Sequence, residues 1–544
     1  MIGRKQIRWF DVFATAAFVA SLIVLLNPVL PGLRSGRIYV SLDGSDWNSG
    51  NSPTHAVATI QQAADLAVPG DTIVILPGTY REQIYIRRGG QPDRPITFKA
   101  QKPGAVTITN EADSHVERGL KWKDEGDGIF SCQPPWPIYF VRGDGMAFFH
   151  CYSLEAMKKY VLRKGAWGTF FFGNGRLYAS FPDKKTPAQH HIGIHARIPP
   201  PGLWRISQSA NVFVEADFIR FEGLRFDFGV GYGVRLWKAS DISIVDCAFS
   251  GAAIGIAAGA GVKPAKNLRV EYCLNENYPQ FEWLGQWMSW AEIYDSYSSS
   301  TLVDSSNDGA VIQNNLALEG ADGLRVNTGN VPVTKGIDVS GNLIARCTDD
   351  AIELDGFSRG IHFHDNLVYD THSSLSFSPL MGGPVLVEKN LFLDPFEGAN
   401  GDQIKLMDDG TVNPIIQNVE IRNNTFVGNW ISWYDRTPIR NVVVIHNVFA
   451  IERQAQPPWP AGVESKENAL LPLPATGYPD PGGGFSVLKK VIALGLKNSN
   501  SRGDAIPAVD ERKFVRPGPR WLDWKSMPAT AALSQKLSPD FFKP

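Results

Sequence analysis

The stretch TDDAIELDG, residues 348–356, carries four carboxylates in nine positions: Asp349, Asp350, Glu353 and Asp355. Acids this close cannot all ionise at their ordinary pKa values, so crowding separates a carboxyl that keeps its proton from neighbours that lose theirs. Such a split pair can protonate a departing oxygen on one side and activate water on the other. The same four acids could instead serve as oxygen ligands for Ca²⁺. Proton transfer and cation binding are therefore the two chemistries open to this segment.

The elements that must hold these acids are visible as a repeat. Short β segments end in Cys or Asn followed by an apolar residue at Cys247, Cys273, Asn315, Asn342, Asn366, Asn390, Asn424 and Asn447, with spacings of 26, 42, 27, 24, 24, 34 and 23 residues. The short intervals suit one coil of a solenoid, and the long ones predict loops inserted at about 278–308 and 396–415. Asparagine at such a turn tolerates left-handed backbone, and its amide can hydrogen-bond from coil to coil. Upstream, a short strand, a helix over ATIQQAADLA (58–67), a PGDTI turn and alternating strands follow in order. That segment resembles the N-terminal capping region of right-handed parallel β-helix proteins of the pectate-lyase-like superfamily, many of them carbohydrate-active. The resemblance implies an all-β parallel β-helix whose open end the helix covers.

Aligned on their asparagines, the coils place DGLRVN (322–327), DAIELD (350–355), SSLSFS (373–378) and DQIKLM (402–407) in one stack. Strand alternation buries the third and fifth residues of each and turns the fourth and sixth outward. The outward columns are Arg325, Glu353, Ser376 and Lys405, then Asn327, Asp355, Ser378 and Met407. The leading column is Asp322, Asp350, Ser373 and Asp402. With coils about 4.8 Å apart, Arg325 and Glu353 should pair. The loop at 278–308 arrives just before this face, and its Trp287 and Trp290 would supply rings that stack on sugars.

The face resembles that of family 28 glycoside hydrolases, the polygalacturonases, which carry an Asp, an Asp-Asp pair, a His and an Arg-x-Lys on successive coils. The matching positions are Asp322, Asp349-Asp350, His372 and Lys405, at intervals of 27, 23 and 33 residues. His372 lacks flanking glycines, and Gln403 stands where Arg is expected. The resemblance implies glycosidic cleavage, with Asp350 as general acid, Asp322 and Asp349 as base candidates, Glu353 able to exchange roles with them, and His372 tuning the acid. Lys405 and Arg325, with Asn327, Asp355 and Asp402 beside them, would hold the sugar. A polysaccharide lyase or epimerase is the alternative enzyme, with Lys405 or Arg325 as base and Ca²⁺ held by Asp349, Asp350, Glu353 and Asp355. A non-catalytic polysaccharide-binding surface protein is the third. As a hydrolase, the chain would need no cofactor.

The bulk properties frame these readings. A chain of 544 residues with a net charge of −2 and 20% charged residues offers no nucleic-acid surface. Five widely spaced cysteines with no CxxC read as buried thiols. Residues 1–35, basic MIGRKQIR followed by an apolar run, read as an uncleaved membrane anchor that places the body outside the cytoplasm, or as a signal whose removal would release it. The expected organisation continues with the cap and first coils at 36–143, a β-rich insertion at 144–205, the main coils at 206–454, and a Pro/Gly-rich segment at 455–544 that wraps or caps the solenoid. HHIGIH (190–195) reads as surface or packing histidines, because neighbours on a strand face opposite ways. The sequon at Asn423 belongs to the turn column.

Overall fold

The computed structural model describes residues 36–162, 168–196, 209–258, 265–276, 301–305, 308–326, 335–394, 403–407, 413–428, 431–433, 437–452, 459–473 and 516–523. The segment 1–35 and the candidate residues Trp287, Trp290, Asn327 and Asp402 lie outside them. Among the described residues, no helix is long and apolar enough to cross a membrane.

Alternation builds each strand. In Ile361–His364, Ile361 and Phe363 are buried while His362 and His364 face outward. Each strand pairs in parallel with the strand one coil later, as Ile337 with Ile361 and Ile361 with Val385. The result is a 13-stranded sheet in chain order from Arg37–Val40 to Val463–Lys466, and a 20-stranded sheet that carries the other strands of the coils. One coil runs through Ile337–Ser340, Leu343–Ala345 and Ile352–Glu353 before the next begins at Ile361. The architecture is a right-handed parallel β-helix, the hand that parallel crossovers adopt. Inside, like residues stack on like: Val339, Phe363, Val387 and Ile421 lie in register and are fully buried. Phe392, Phe426 and Phe449 stack at 4.5 and 4.9 Å.

The repeat asparagines form a continuous buried ladder. Oδ1 of Asn342, Asn366, Asn390, Asn424 and Asn447 each accepts the backbone N–H of the preceding coil's asparagine at 2.9 Å. The ladder extends in both directions, to the Cys273 N–H at 2.8 Å and to Asn468 at 2.8 Å. Left-handed backbone falls one residue earlier than expected, at Asn314, Gly341, Asp365, Lys389, Asn423 and His446. The turn residue therefore absorbs the strain, which leaves the ladder asparagine free to satisfy buried backbone groups. Asn423 is one of these turn residues and is exposed, beside the buried Asn424.

The capping helix is Ile60–Leu66, with Thr59 as N-cap and Ile60, Ala63 and Ala64 buried against the first coils. Glu82 accepts the free N–H groups of Ile60 and Gln61 at 2.8 and 3.0 Å. The insertion begins earlier than 144. The solenoid strand Val106–Thr109 pairs onward with Arg225–Asp227, and the largely antiparallel sheets between them start at Lys123. They have their own core around Val141, Phe148, Phe170 and Leu177. Arg142 joins this unit to the solenoid through a bidentate pair with Asp227 at 2.6 and 2.7 Å. The solenoid also runs past 455, because Val463–Lys466 and Ala469–Leu473 add another coil. In the C-terminal segment, Arg520 pairs with Asp246, and the Trp521 ring lies 4.5 Å from the Arg225 guanidinium on the outside of the coils. All five cysteines are free and buried.

Candidate active site

The stacked strands Thr301–Ser305, Leu324–Val326, Ile352–Glu353, Ser376–Phe377 and Ile404–Leu406 pair coil upon coil and set the register of the charged face. Leu324, Val326, Ile352, Leu354, Leu375, Phe377, Ile404 and Leu406 are all buried, as alternation requires. Facing the other way, Asp304, Arg325, Glu353, Ser376 and Lys405 occupy one column. Arg325 Nε lies 2.8 Å from Glu353, with Asp304 at 3.9 Å from the other end of the guanidinium. Asp304 is a member that sequence reading missed. It falls inside the loop expected at about 278–308, yet Thr301–Ser305 is a regular strand. The signal was the triplet Val303-Asp304-Ser305, apolar, charged and small, just before the next coil begins.

The second cluster sits where the chain turns into these strands. Asp322, Asp349 and Asp350 each bring a carboxylate oxygen within 4.8 Å of the others. Asp322 Oδ1 accepts the Asp350 N–H at 3.4 Å. Both oxygens of Asp350 accept from the Lys405 ammonium, at 3.0 and 3.2 Å, and Asp349 lies 3.8 Å from the same nitrogen. Lys405 spans two coils to reach them, and small side chains let it through. Ser376 lies between Glu353 and Lys405, and Ser373 lies beside Asp350. His372 stands next to this group, its Nδ1 3.4 Å from Ser373 Oγ.

The electrostatics divide the acids. Burial, and then the charges of Glu353, Asp349 and Asp350, push Asp322 well above the ordinary carboxyl value, against a smaller pull from Arg325. Asp355 is raised well above it by burial, Glu353 and Asp350, only partly offset by the Ser378 N–H at 2.5 Å. Burial also raises Glu353, although Arg325 opposes it. Burial works against the Lys405 ammonium, yet Asp350 and Asp349 outweigh it and hold the group above the usual lysine value. Burial lowers His372, which keeps the imidazole neutral. The face thus combines proton-holding carboxyls with a locked ammonium.

The acids of 349–355 do not gather into one cage. Glu353 pairs with Arg325 and shares a hydrogen bond with Asp355, which also accepts the Ser378 N–H, while Asp349 and Asp350 join Asp322. The cluster of three offers oxygen donors of the kind Ca²⁺ uses. The Lys405 ammonium already supplies positive charge at 3.0 Å from Asp350. HHIGIH also stays apart from this chemistry. His190 pairs with Asp144 at 2.7 Å, and the buried His195 uses both ring nitrogens on the backbone of Ala196 and Tyr139.

Coil, ladder and charged face together define a parallel β-helix. The Chondroitinase B family model matches residues 54–120, the capping helix and first coils. Uncharacterized protein YwoF of Bacillus subtilis (strain 168) is 34% identical over 113 residues, 20% of this chain and 24% of that protein, so the match spans about a quarter of that relative's length. Among solved structures, XylC with xylose is similar at 14% identity and a TM-score of 0.54, over 80% of this chain and 83% of that one. A mannuronic acid specific polysaccharide family 6 lyase from human gut microbiota is similar at 12% identity and a TM-score of 0.41, over 80% and 91%. The likeness to XylC shows the shared fold.

Proposed function

We propose that the chain is a carbohydrate-acting enzyme that cleaves a glycosidic bond by acid–base chemistry at Asp322, Asp349 and Asp350. The observation that carries this reading is the cluster itself: three carboxyl groups within 4.8 Å, one of them pushed well above its ordinary pKa, beside a fixed ammonium. Asp322, rather than Asp350, is the group suited to hold a proton and give it to the leaving oxygen. Asp350 keeps both oxygens on Lys405 and positions that cation. Asp349 then serves as the base that activates water. Arg325 and Lys405 attract an anionic or hydroxyl-rich sugar, which favours a uronate-containing polysaccharide. Neutral His372 stands where it can support the proton's position.

A lyase is the second reading, favoured by the Chondroitinase B match at 54–120. It requires Lys405 or Arg325 to act as base, and the acids around Lys405 hold its proton on. Product analysis on a panel of uronate-containing polysaccharides separates the two. Cleavage by hydrolysis yields new reducing ends without ultraviolet-absorbing unsaturation, unchanged by chelator. Unsaturated products that vanish with chelator would replace this reading with the lyase. Glycan binding with no product from any substrate would reduce the protein to a binding module.

A further inference from the structure

On the 13-stranded sheet, away from the acids just described, four side chains from three successive coils form a linked cluster. Asp338 comes from the strand Ile337–Ser340, His362 and His364 from Ile361–His364, and Glu388 from Val385–Glu388. In register, Asp338 lies opposite His362, and His364 lies opposite Glu388. The contacts do not follow that register. They cross it: His364 Nε2 meets Asp338 Oδ2 at 3.0 Å, and His362 Nε2 meets Glu388 Oε1 at 3.0 Å. The two imidazoles stack at an interplanar angle of 27° with centroids 4.0 Å apart, both on the outward face.

Three of the four, Asp338, Glu388 and His364, have one atom turned towards the cluster and another held from behind. Asp338 Oδ1 accepts from Gln313 Nε2 at 2.8 Å and Ser340 Oγ at 2.9 Å, which leaves Oδ2 for the centre. Glu388 Oε2 accepts from Arg422 Nε at 2.8 Å, while Oε1 faces His362 with the Lys389 ammonium 3.7 Å away. His364 Nδ1 lies 2.7 Å from Asp365 Oδ2, so its second nitrogen is the one presented. A carboxylate behind the far nitrogen of a histidine is the support that orients metal-bound imidazoles. Ligands at about 2.0–2.1 Å from a tetrahedral ion lie roughly 3.3 Å from one another, close to the 3.0 Å of the two histidine–carboxylate contacts.

We propose that Asp338, His362, His364 and Glu388 bind a borderline divalent cation, Zn²⁺ by the chemistry of two imidazoles with carboxylates, which staples three coils together. Asp338, His362 and His364 already bring their donor atoms within 4.8 Å of one another. Rigid strands fix the backbone of all four residues, so little ordering is needed on binding. The site is independent of the cleavage chemistry and stabilises the solenoid wall.

The test is calorimetric titration of the full-length chain with ZnCl₂, together with thermal melts with and without the salt. The variants are His364→Gln, Asp338→Asn and, at the other acid cluster, Asp322→Asn. Wild type and Asp322→Asn should bind one equivalent and melt higher with zinc, while His364→Gln and Asp338→Asn should lose about tenfold or more in affinity. His362→Gln substitutes for either of the latter if circular dichroism shows that it has not folded. The absence of zinc-dependent heat in wild type would overturn the proposal, and so would equal affinity in wild type, His364→Gln and Asp338→Asn.

Discussion

Two columns of polar side chains run along the coils and behave in opposite ways. In the asparagine ladder, each Oδ1 accepts a backbone N–H at 2.8–2.9 Å, and each buried amide meets its neighbour's copy. On the charged face, the column Asp304, Arg325, Glu353, Ser376, Lys405 changes character at every coil, and three acids crowd together beside it. Both columns inherit one spacing from the backbone. A neutral group repeated at that spacing satisfies itself and stabilises, whereas burial and the neighbouring carboxylates raise the proton affinity of Asp322. The same geometry thus serves stability in one column and reactivity in the other.

The contrast breaks most visibly at Asp322. Replacing it with Asn should lower turnover of the cleaved polysaccharide by about 10²–10⁴-fold, the usual size of a lost acid–base contribution, with an unchanged melting temperature within a few degrees. The readout is reducing-end release beside circular dichroism. The ladder should respond in the other currency, stability rather than rate. Asn366→Ala removes an amide bonded on both sides and leaves buried backbone groups without partners, at about 2–4 kcal/mol by denaturant unfolding. Asn468→Ala, at the half-buried end of the same ladder, should cost about 1 kcal/mol.

A pH titration of stability sharpens the comparison further. Asp355 has its folded pKa raised, so the unfolded chain gives up this proton first as pH rises. Its contribution is fully present below the ordinary carboxylate range and is lost as pH climbs from about 4 towards the folded value. Asp355→Asn keeps an acceptor for the Ser378 N–H and should flatten that decline in urea midpoints, whereas Asn366→Ala should lower the whole curve without changing its slope. The smallest effect belongs to Arg325→Met. Its side chain is 38% exposed and its pairing partly screened, so stability should fall by about 1 kcal/mol or less. KM for an anionic glycan should nevertheless rise.

Much of this architecture was legible in the chain. The recurring asparagines give coil length and register, and register alone places Arg325 beside Glu353 and sends Ile352 and Leu354 inward. What escaped was diagonal or lay in shape. Lys405 reaching across Ser376 to Asp350 depends on side-chain length and a gap, neither of which periodicity encodes. Asp304 was hidden because a strand of five residues lies within a segment of irregular composition. The insertion starts earlier than expected because the strands from Lys123 to Gly143 are short and only their antiparallel pairing sets them apart from the coils. The crossing of His362 and His364 was invisible for the same reason as the Lys405 contact: a repeat predicts straight neighbours, while side chains can cross.

Cleavage by this site rests on Asp322 keeping a proton where an ordinary aspartate has lost it. Infrared difference spectroscopy of wild type against Asp322→Asn, at about pH 6 and roughly two units above the free aspartate value, observes that proton through the carbonyl stretch of a protonated carboxyl. The account predicts a protonated band in wild type that Asp322→Asn removes. An identical spectrum for the two proteins at that pH would contradict it.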